Sequence, residues 1–422
     1  MQYKITGPER LNVTINLPAS KSISNRALII HALSGGAEMP ENLSDCDDTA
    51  VMIRALKEMP DVIDVGAAGT SMRFLTAYLS TKEGRHVITG TERMQQRPIG
   101  VLVDALRRLG AEITYLSADF KSQGREGYPP LYINGNSLEG GSLEVPGNIS
   151  SQYISALLMI GPMLQKGLQL HLTGDVVSRP YIDLTLHVMN DYGANAEWSD
   201  VNTIDVEPNT YQSRPYRIEN DWSASSYWYE IMALSKDEEA QVVLPGLLDG
   251  SRQGDSAVRY LFNMLGVRTT FQPSYDEQKT VVTLTRHNRV VPRLDYDFKN
   301  QPDLAQTFVV TCCALGIPFH FVGLGNLRIK ETDRILALQT ELRKLGFEIE
   351  DRNDSELLWD GKRGKAQTNP VIDTYEDHRM AMAFAPLCLV FPEVVIRNPE
   401  VVTKSYPHYW KDLQTAGFKI VE

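Results

Sequence analysis

The stretches PDLAQTFVVTCCALG (302–316) and ILALQTELRKLGFEIE (335–350) are two halves of one unit that recurs along the chain. The first begins with small and polar residues and becomes apolar on all sides, as a helix inside a core must. The second spaces its apolar residues by three and four, stops at Gly346 and runs into a β-like FEIE. Segments of the first kind recur at 20–33 (SKSISNRALIIHAL), 68–80 (AGTSMRFLTAYLS), 148–161 (NISSQYISALLMIG), 221–234 (DWSASSYWYEIMAL) and 376–390 (EDHRMAMAFAPLCLV), making six in all. Segments of the second kind are LVDALRRLGAEITY, LTLHVMNDYGANAEW, AVRYLFNMLGVRTTF and YWKDLQTAGFKIVE. Their glycines, Gly110, Gly193, Gly266 and Gly417, stand with Gly346 where a chain turns left-handed after a helix.

Short Val/Ile/Leu/Thr runs such as Val281–Thr285 and Leu168–Leu172 read as strands between these helices. The spacing gives a βαβαββ-like module of roughly 70 to 80 residues. Six modules fill the chain, and the fold class is α/β. The first is irregular: from Asp48 to Ala67 its second helix, TAVMIRALKEM, runs almost directly into the next module without a glycine stop.

A chain of 422 residues exceeds one ordinary core and reads as two large domains; 42% hydrophobic and 23% charged residues place it among globular proteins. The N-terminal MQYKITGPERLNV lacks the basic-then-apolar pattern of a secretory signal. The most apolar stretch, 307–324, is broken by Thr311, Gly316, Pro318 and His320, too soon for a membrane span. Cys46, Cys312, Cys313 and Cys388 form no C-x-x-C pair, which suggests reduced core residues and a cytoplasmic protein. A net charge of −11 argues against a nucleic-acid partner. No G-x-x-x-x-G-K-[ST] segment is present, and the eight histidines contain no H-x-x-x-H, so neither nucleotide-dependent phosphotransfer nor a metal is expected.

The starts of the first-kind helices carry the chemistry. A helix N-terminus presents unpaired N–H groups and the positive end of the macrodipole, a natural seat for phosphate or carboxylate. Several such starts here add donors: Lys21, Ser22 and Arg26; Gly69, Thr70 and Arg73; Ser150, Ser151 and Gln152; His378 and Arg379. A Lys or Ser at one start is ordinarily a cap or a solvated charge. Repeated at several, it points to small polyanionic substrates.

KSISNRAL (21–28), AGTSMR (68–73), RPIGVLVDAL (97–106), SSQYISALL (150–158), SRPYIDLTL (178–186), NLRIKETDR (326–334), DHRM (377–380) and Lys404 follow one another in the order found in EPSP synthases, the 3-phosphoshikimate 1-carboxyvinyltransferases. The chain resembles that enolpyruvyl transferase family from about residue 3 to its end, with IKETDR and SKSISNRAL as the specific signals. The resemblance implies two domains, each of three modules around a pseudo-threefold axis. The terminal domain would comprise 1–18 plus 221–422 and the middle domain 19–220, with the active site in the cleft between them and the first middle module shortened.

The reaction implied moves the enolpyruvyl group of phosphoenolpyruvate to the 5-hydroxyl of shikimate 3-phosphate, releasing phosphate by addition and elimination through a tetrahedral intermediate. It belongs to the shikimate pathway of aromatic amino acid biosynthesis. No cofactor, nucleic-acid partner or membrane partner is implied, a monomer is expected, and glyphosate is expected to compete with phosphoenolpyruvate.

Two such substrates carry about six negative charges. Lys21, Arg26, Arg97, Lys330, Arg334, Arg379 and Lys404 match the family's cations. By resemblance, Lys21, Arg97 and Lys404 meet the phosphate of phosphoenolpyruvate beside Gly69, and Arg334 and Arg379 are planar forks for its carboxylate, a role for which Lys lacks the geometry. Lys21, Ser22, Arg26, Ser150, Ser151, Ser178, Tyr181, Asn326 and Lys330 fall on the shikimate 3-phosphate side, and Gln152 between the substrates. Asp303 would accept the hydroxyl proton, and Glu331, with Lys21 sharing, would deliver a proton to the methylene carbon and later remove one. Alone, Asp303 reads as a helix cap and Glu331 as a surface ion pair.

Ala67 departs from the family, which usually has Asn there, so one side-chain hydrogen bond to substrate is lost. Two other readings stand beside the first. One is the sibling transferase acting on UDP-N-acetylglucosamine, against which KSISNRAL and IKETDR argue. The other is a non-catalytic binding relic, against which both carboxylates and all the cations argue.

Overall fold

A computed structural model of the protein describes residues 1–273 and 280–422. The chain divides into two compact units, Met1–Pro18 with Glu219–Glu422, and Ala19–Ile218. Each has its own apolar core.

One module shows the pattern of the five complete ones. Strand Leu294–Asp297 leads through helix Ala305–Leu315 to strand Phe319–Val322, which lies parallel beside it. A parallel neighbour requires such a crossover. Helix Arg334–Lys344 and the antiparallel strands Glu350–Arg352 and Glu356–Trp359 complete a sheet in which the last strand sits inside the third. The same order recurs in the sheets begun by Asn12–Thr14, Val62–Asp64, Gly141–Pro146 and Val371–Ile372. Two of these are completed across the sequence: Asn12–Thr14 pairs in parallel with Gln241–Pro245 beyond the middle unit, and the sheet of Val371–Ile372 takes its fourth strand, Gln2–Thr6, from the N-terminus.

Among the described residues the terminal unit thus holds three four-stranded sheets and the middle unit two. The sixth module is reduced to helices Lys21–Ser34 and Asp47–Glu58, with a single isolated bridge between Glu41 and Arg217. It is the shortened one.

The first-kind helices form the interior. Helices Trp222–Leu234, Ala305–Leu315 and His378–Phe384 touch one another pairwise in the terminal unit. Helices Lys21–Ser34, Gly69–Ser80 and Ser151–Ile160 do so in the middle unit. Every residue of Gly69–Ser80 and all but Ser223 of Trp222–Leu234 are buried, which explains why these segments are apolar nearly all round.

The second-kind helices stop as their glycines require. Gly110, Gly193, Gly266, Gly346 and Gly417 have φ of 102°, 84°, 90°, 83° and 91°. After four of them the next amide reaches back into the helix, as Phe347 does to the Leu342 carbonyl at 3.0 Å. The reduced module ends instead on Met59 at φ 43°.

Candidate active site

In the terminal unit the acid–base candidates and the expected anion forks form one network, organised by Arg334. Arg334 opens its helix after the cap Asp333 and is 2% exposed. It donates from Nε to Asp377 at 2.7 Å, from Nη1 to Asp303 at 3.1 Å and from Nη2 to Glu331 at 2.9 Å. Burial alone would lower its pKa; Asp377, Glu331 and Asp303 outweigh that and push it above the ordinary arginine value.

Asp303 lies in a short turn, Pro302–Leu304, ahead of helix Ala305–Leu315. It serves cations rather than capping that helix: Oδ2 accepts from Arg379 at 2.8 Å, and Lys330 Nζ stands 3.8 Å from Oδ1. Glu331 is tied on its second oxygen to Lys404 at 2.9 Å, and its side chain is 14% exposed. It is therefore no surface pair. Arg379, held by Asp303, also donates to the Tyr227 hydroxyl at 3.3 Å. Burial pushes that phenol up to about 12. Asn326, in the turn Gly325–Ile329, keeps a buried Oδ1 with no hydrogen bond among the described residues.

The middle unit assembles a separate set of donors. Lys21 begins helix Lys21–Ser34 and stands 3.4 Å from Asp48. Arg26, one turn on, is buried and enclosed by neutral acceptors: Thr185 at 2.7 Å, the Ser22 carbonyl at 2.8 Å, Ser155 at 3.1 Å and the Tyr181 carbonyl at 3.2 Å. Burial pushes its pKa down to about 10. Its charge makes the junction of three helices electropositive. Ser178 is buried there at φ 56°, at the head of helix Arg179–Asp191.

Gly69 heads a fully buried helix beneath two guanidinium groups. A Cβ on Gly69 would lie 2.7 Å from Arg97 Nη1 and 3.0 Å from Arg73 Nη1. Arg73 is spent on the carbonyls of Gly69 and Pro98. Arg97 is buried with its Nε unpartnered among the described residues. Two guanidiniums over a helix N-terminus make a seat for an anion. Beside it Gln152 donates to Thr70 at 3.1 Å, from a helix capped by Ser150 and opened by Ser151.

The sequence model of the EPSP synthase (3-phosphoshikimate 1-carboxyvinyltransferase) family matches residues 5–62 and 57–413. The chain belongs to that family. It is 58% identical over 420 residues to a 3-phosphoshikimate 1-carboxyvinyltransferase of Bacteroides fragilis, a match covering 100% of this chain and 99% of the relative. To that of Photobacterium profundum it is 36% identical over 432 residues, covering 96% of each. A solved EPSP synthase of Acinetobacter baumannii shares the fold, with a TM-score of 0.78 at 20% identity and complete coverage of both chains.

Several residues that contact these candidates escaped the sequence reading. Asp377 lies within DHRM, yet only its place in that motif marked it; in the structure it accepts from the Arg379 amide at 2.9 Å while holding Arg334. Asp48 and Tyr227 carried no signal beyond neighbouring acids and an aromatic helix. Among the described residues no His, Cys, Asp and Glu group is arranged to hold a metal, no helix is long and apolar enough to cross a membrane, and all four cysteines are free and buried.

Proposed function

We propose that this chain transfers the enolpyruvyl group of phosphoenolpyruvate to the 5-hydroxyl of shikimate 3-phosphate and releases phosphate. The observation that carries the reading is the sharing of Arg334 between Asp303 and Glu331, with Arg379 and Lys404 at their second oxygens and Lys330 near the Asp303 oxygen that Arg334 holds. Two carboxylates held among four cations suit chemistry in which protons move beside bound anions. Membership of the family supplies the substrates.

In this reading Asp303 accepts the hydroxyl proton as oxygen attacks C2 of phosphoenolpyruvate, and Glu331 gives a proton to the methylene carbon. The tetrahedral adduct forms. Glu331 then removes a methyl proton as phosphate leaves, and the proton taken up by Asp303 goes out with the departing phosphate, so both carboxylates return to their starting states. An arriving phosphoenolpyruvate takes donors from the protein's own carboxylates: its carboxylate draws on Arg334 and Arg379, its phosphate on Lys21, Arg97 and Lys404. Loosening those ion pairs makes both carboxylates stronger bases, so that Glu331 can hold the proton it delivers and Asp303 can accept one.

Arg26, Ser22, Ser150, Ser151, Ser178, Tyr181, Asn326 and Lys330 serve shikimate 3-phosphate, and Gln152 touches both substrates. Incubating the protein with both substrates and following phosphate release and product mass tests the reading. Binding of shikimate 3-phosphate without turnover would sink it in favour of a binding protein.

A further inference from the structure

The residues just ahead of the DHRM motif are held in a conformation that side chains avoid. Tyr375 and Glu376 stand at φ 54° and 57°, two left-handed residues in succession, where residues other than glycine ordinarily enter that region singly. Such a turn persists only where its surroundings hold it. Glu376 is exposed and makes no hydrogen bond or ion pair among the described residues, so the hold comes through Tyr375. The Tyr375 hydroxyl donates to Glu341 Oε1 at 2.5 Å, a length typical of a hydroxyl bound to a carboxylate. Glu341 is 0% exposed and is fixed on its other oxygen by Lys344 at 2.6 Å and the Asp373 amide at 3.0 Å. Lys344 also reaches Asp373 Oδ2 at 2.9 Å and the Val371 carbonyl at 2.8 Å, which ties down the chain entering the turn.

Glu341 and Arg334 lie seven residues apart on helix Arg334–Lys344, two turns along one buried face. The segment from Asp373 to Asp377 is pinned to that face at two places. Glu341 takes Asp373 and Tyr375 at one; Arg334 takes Asp377 at the other, with its Nε 2.7 Å from the carboxylate. The left-handed pair joins the two pins. Asp377 also accepts from the Arg379 amide, so the turn delivers the one carboxylate on which both Arg334 and the start of helix His378–Phe384 are set.

We propose that Tyr375 and Glu341 are positioning residues of the reaction. Their bond keeps the turn left-handed, and the turn sets how Arg334 and Arg379 stand towards one another as forks for the carboxylate of phosphoenolpyruvate. The inference rests on the proposed seating of that carboxylate on Arg334 and Arg379.

The test is steady-state phosphate release, with each substrate varied in turn, by the parent, Tyr375→Phe, Glu376→Gly, these two combined, and Arg379→Ala. Tyr375→Phe keeps the ring and removes the bond. KM for phosphoenolpyruvate is expected to rise about tenfold, the scale of one hydrogen bond to a charged group, with KM for shikimate 3-phosphate unchanged. Glu376→Gly alone should stay near the parent, because glycine adopts a positive φ without a steric penalty. In the combined variant that freedom lets the turn remain left-handed without its latch, so part of the rise should be reversed. A purely structural role would lower the fraction of folded enzyme, and hence kcat, and leave both KM values alone. That outcome overturns the inference, as does an equal rise in both KM values or a combined variant no better than Tyr375→Phe. If Tyr375→Phe does not fold, Glu341→Gln decides: it leaves the hydroxyl only a neutral acceptor, so KM for phosphoenolpyruvate should still rise, and an unchanged value overturns the inference. Arg379→Ala with the parent's turnover and KM for phosphoenolpyruvate would sink the seating itself. An impaired Arg379→Ala beside an unaffected Tyr375→Phe would sink the latch alone.

Discussion

Arg334 Nε lies 2.7 Å from Asp377 Oδ2, with the two side chains 2% and 0% exposed. This contact fixes the guanidinium plane, and with it the directions in which Nη1 and Nη2 meet Asp303 and Glu331. Asp377 also caps helix His378–Phe384, so one carboxylate sets both Arg334 and the start of the helix bearing Arg379. Removing one partner of a buried pair costs about 3–5 kcal/mol. Asp377→Ala is expected to lose stability on that scale in urea unfolding, and Asp377→Asn, which retains a capping oxygen, less. Equal stability of Asp377→Ala and the parent would refute the assignment.

Asp303→Asn and Glu331→Gln should each lower kcat by about ten- to ten-thousandfold while changing KM much less, because proton transfer acts in the transition state. Steady-state phosphate release with each substrate varied in turn separates the two constants. A variant retaining full kcat would remove its residue from the proposed roles.

Gly69→Ala should weaken phosphoenolpyruvate more than shikimate 3-phosphate. The new methyl would meet Arg97 Nη1 at 2.7 Å, so that guanidinium has to move from its place over the helix start. KM for phosphoenolpyruvate and the inhibition constant of glyphosate should rise together. A rise confined to shikimate 3-phosphate would place the anion seat elsewhere.

Much of this was legible in the sequence, for physical reasons. The inner helices announce themselves because burial on every side forces an apolar composition, and the outer ones because Gly346 and its counterparts occupy a backbone region other residues avoid. Sheet order was not legible. Strands such as Asn12–Thr14 and Val371–Ile372 are too short for a pattern, and Asn12–Thr14 and Gln2–Thr6 find partners in distant parts of the chain. Lys21, Glu331 and Arg379 were singled out through motifs and Asp303 through the resemblance, whereas the contacts of Asp377 and Asp255 depend on burial and on neighbours brought together by folding. The exposed Asp249 and the buried Asp255 look alike as letters.

Glu230 carries a pH dependence of stability. It is fully buried in helix Trp222–Leu234, neither carboxylate oxygen makes a well-formed hydrogen bond among the described residues, and burial, which outweighs the nearby Thr311 hydroxyl, pushes its pKa well above the ordinary value. A raised folded pKa means that the folded chain binds more protons than the unfolded one above about pH 4.3, so this group costs stability as pH rises from there towards its folded pKa. The slope is at most about 1.4 kcal/mol per pH unit. Glu230→Gln should therefore gain on the parent as pH is raised from 5 to 8 in urea unfolding. A gap that stays constant with pH would show that Glu230 is not protonated in the fold.

The final comparison separates a dispensable contact from an indispensable one. Ala67 is exposed, between Gly66 at φ 56° and the residue that precedes helix Gly69–Ser80, so an asparagine side chain has room there. It would add one neutral hydrogen bond, worth about 0.5–1.5 kcal/mol, and lower KM for phosphoenolpyruvate by no more than about tenfold. Arg379 is placed differently: 7% exposed, it ties Asp303 at 2.8 Å and Tyr227 at 3.3 Å. Arg379→Ala strands the Asp303 carboxylate and removes a fork for the incoming one, a loss of about 2–5 kcal/mol for a buried charge pair. Ala67→Asn should keep the parent's kcat with a modest change in KM, while Arg379→Ala nearly abolishes turnover in a chain that circular dichroism shows to be folded. If the two variants had similar effects on phosphate release, the terminal unit's network would not be the centre of the reaction.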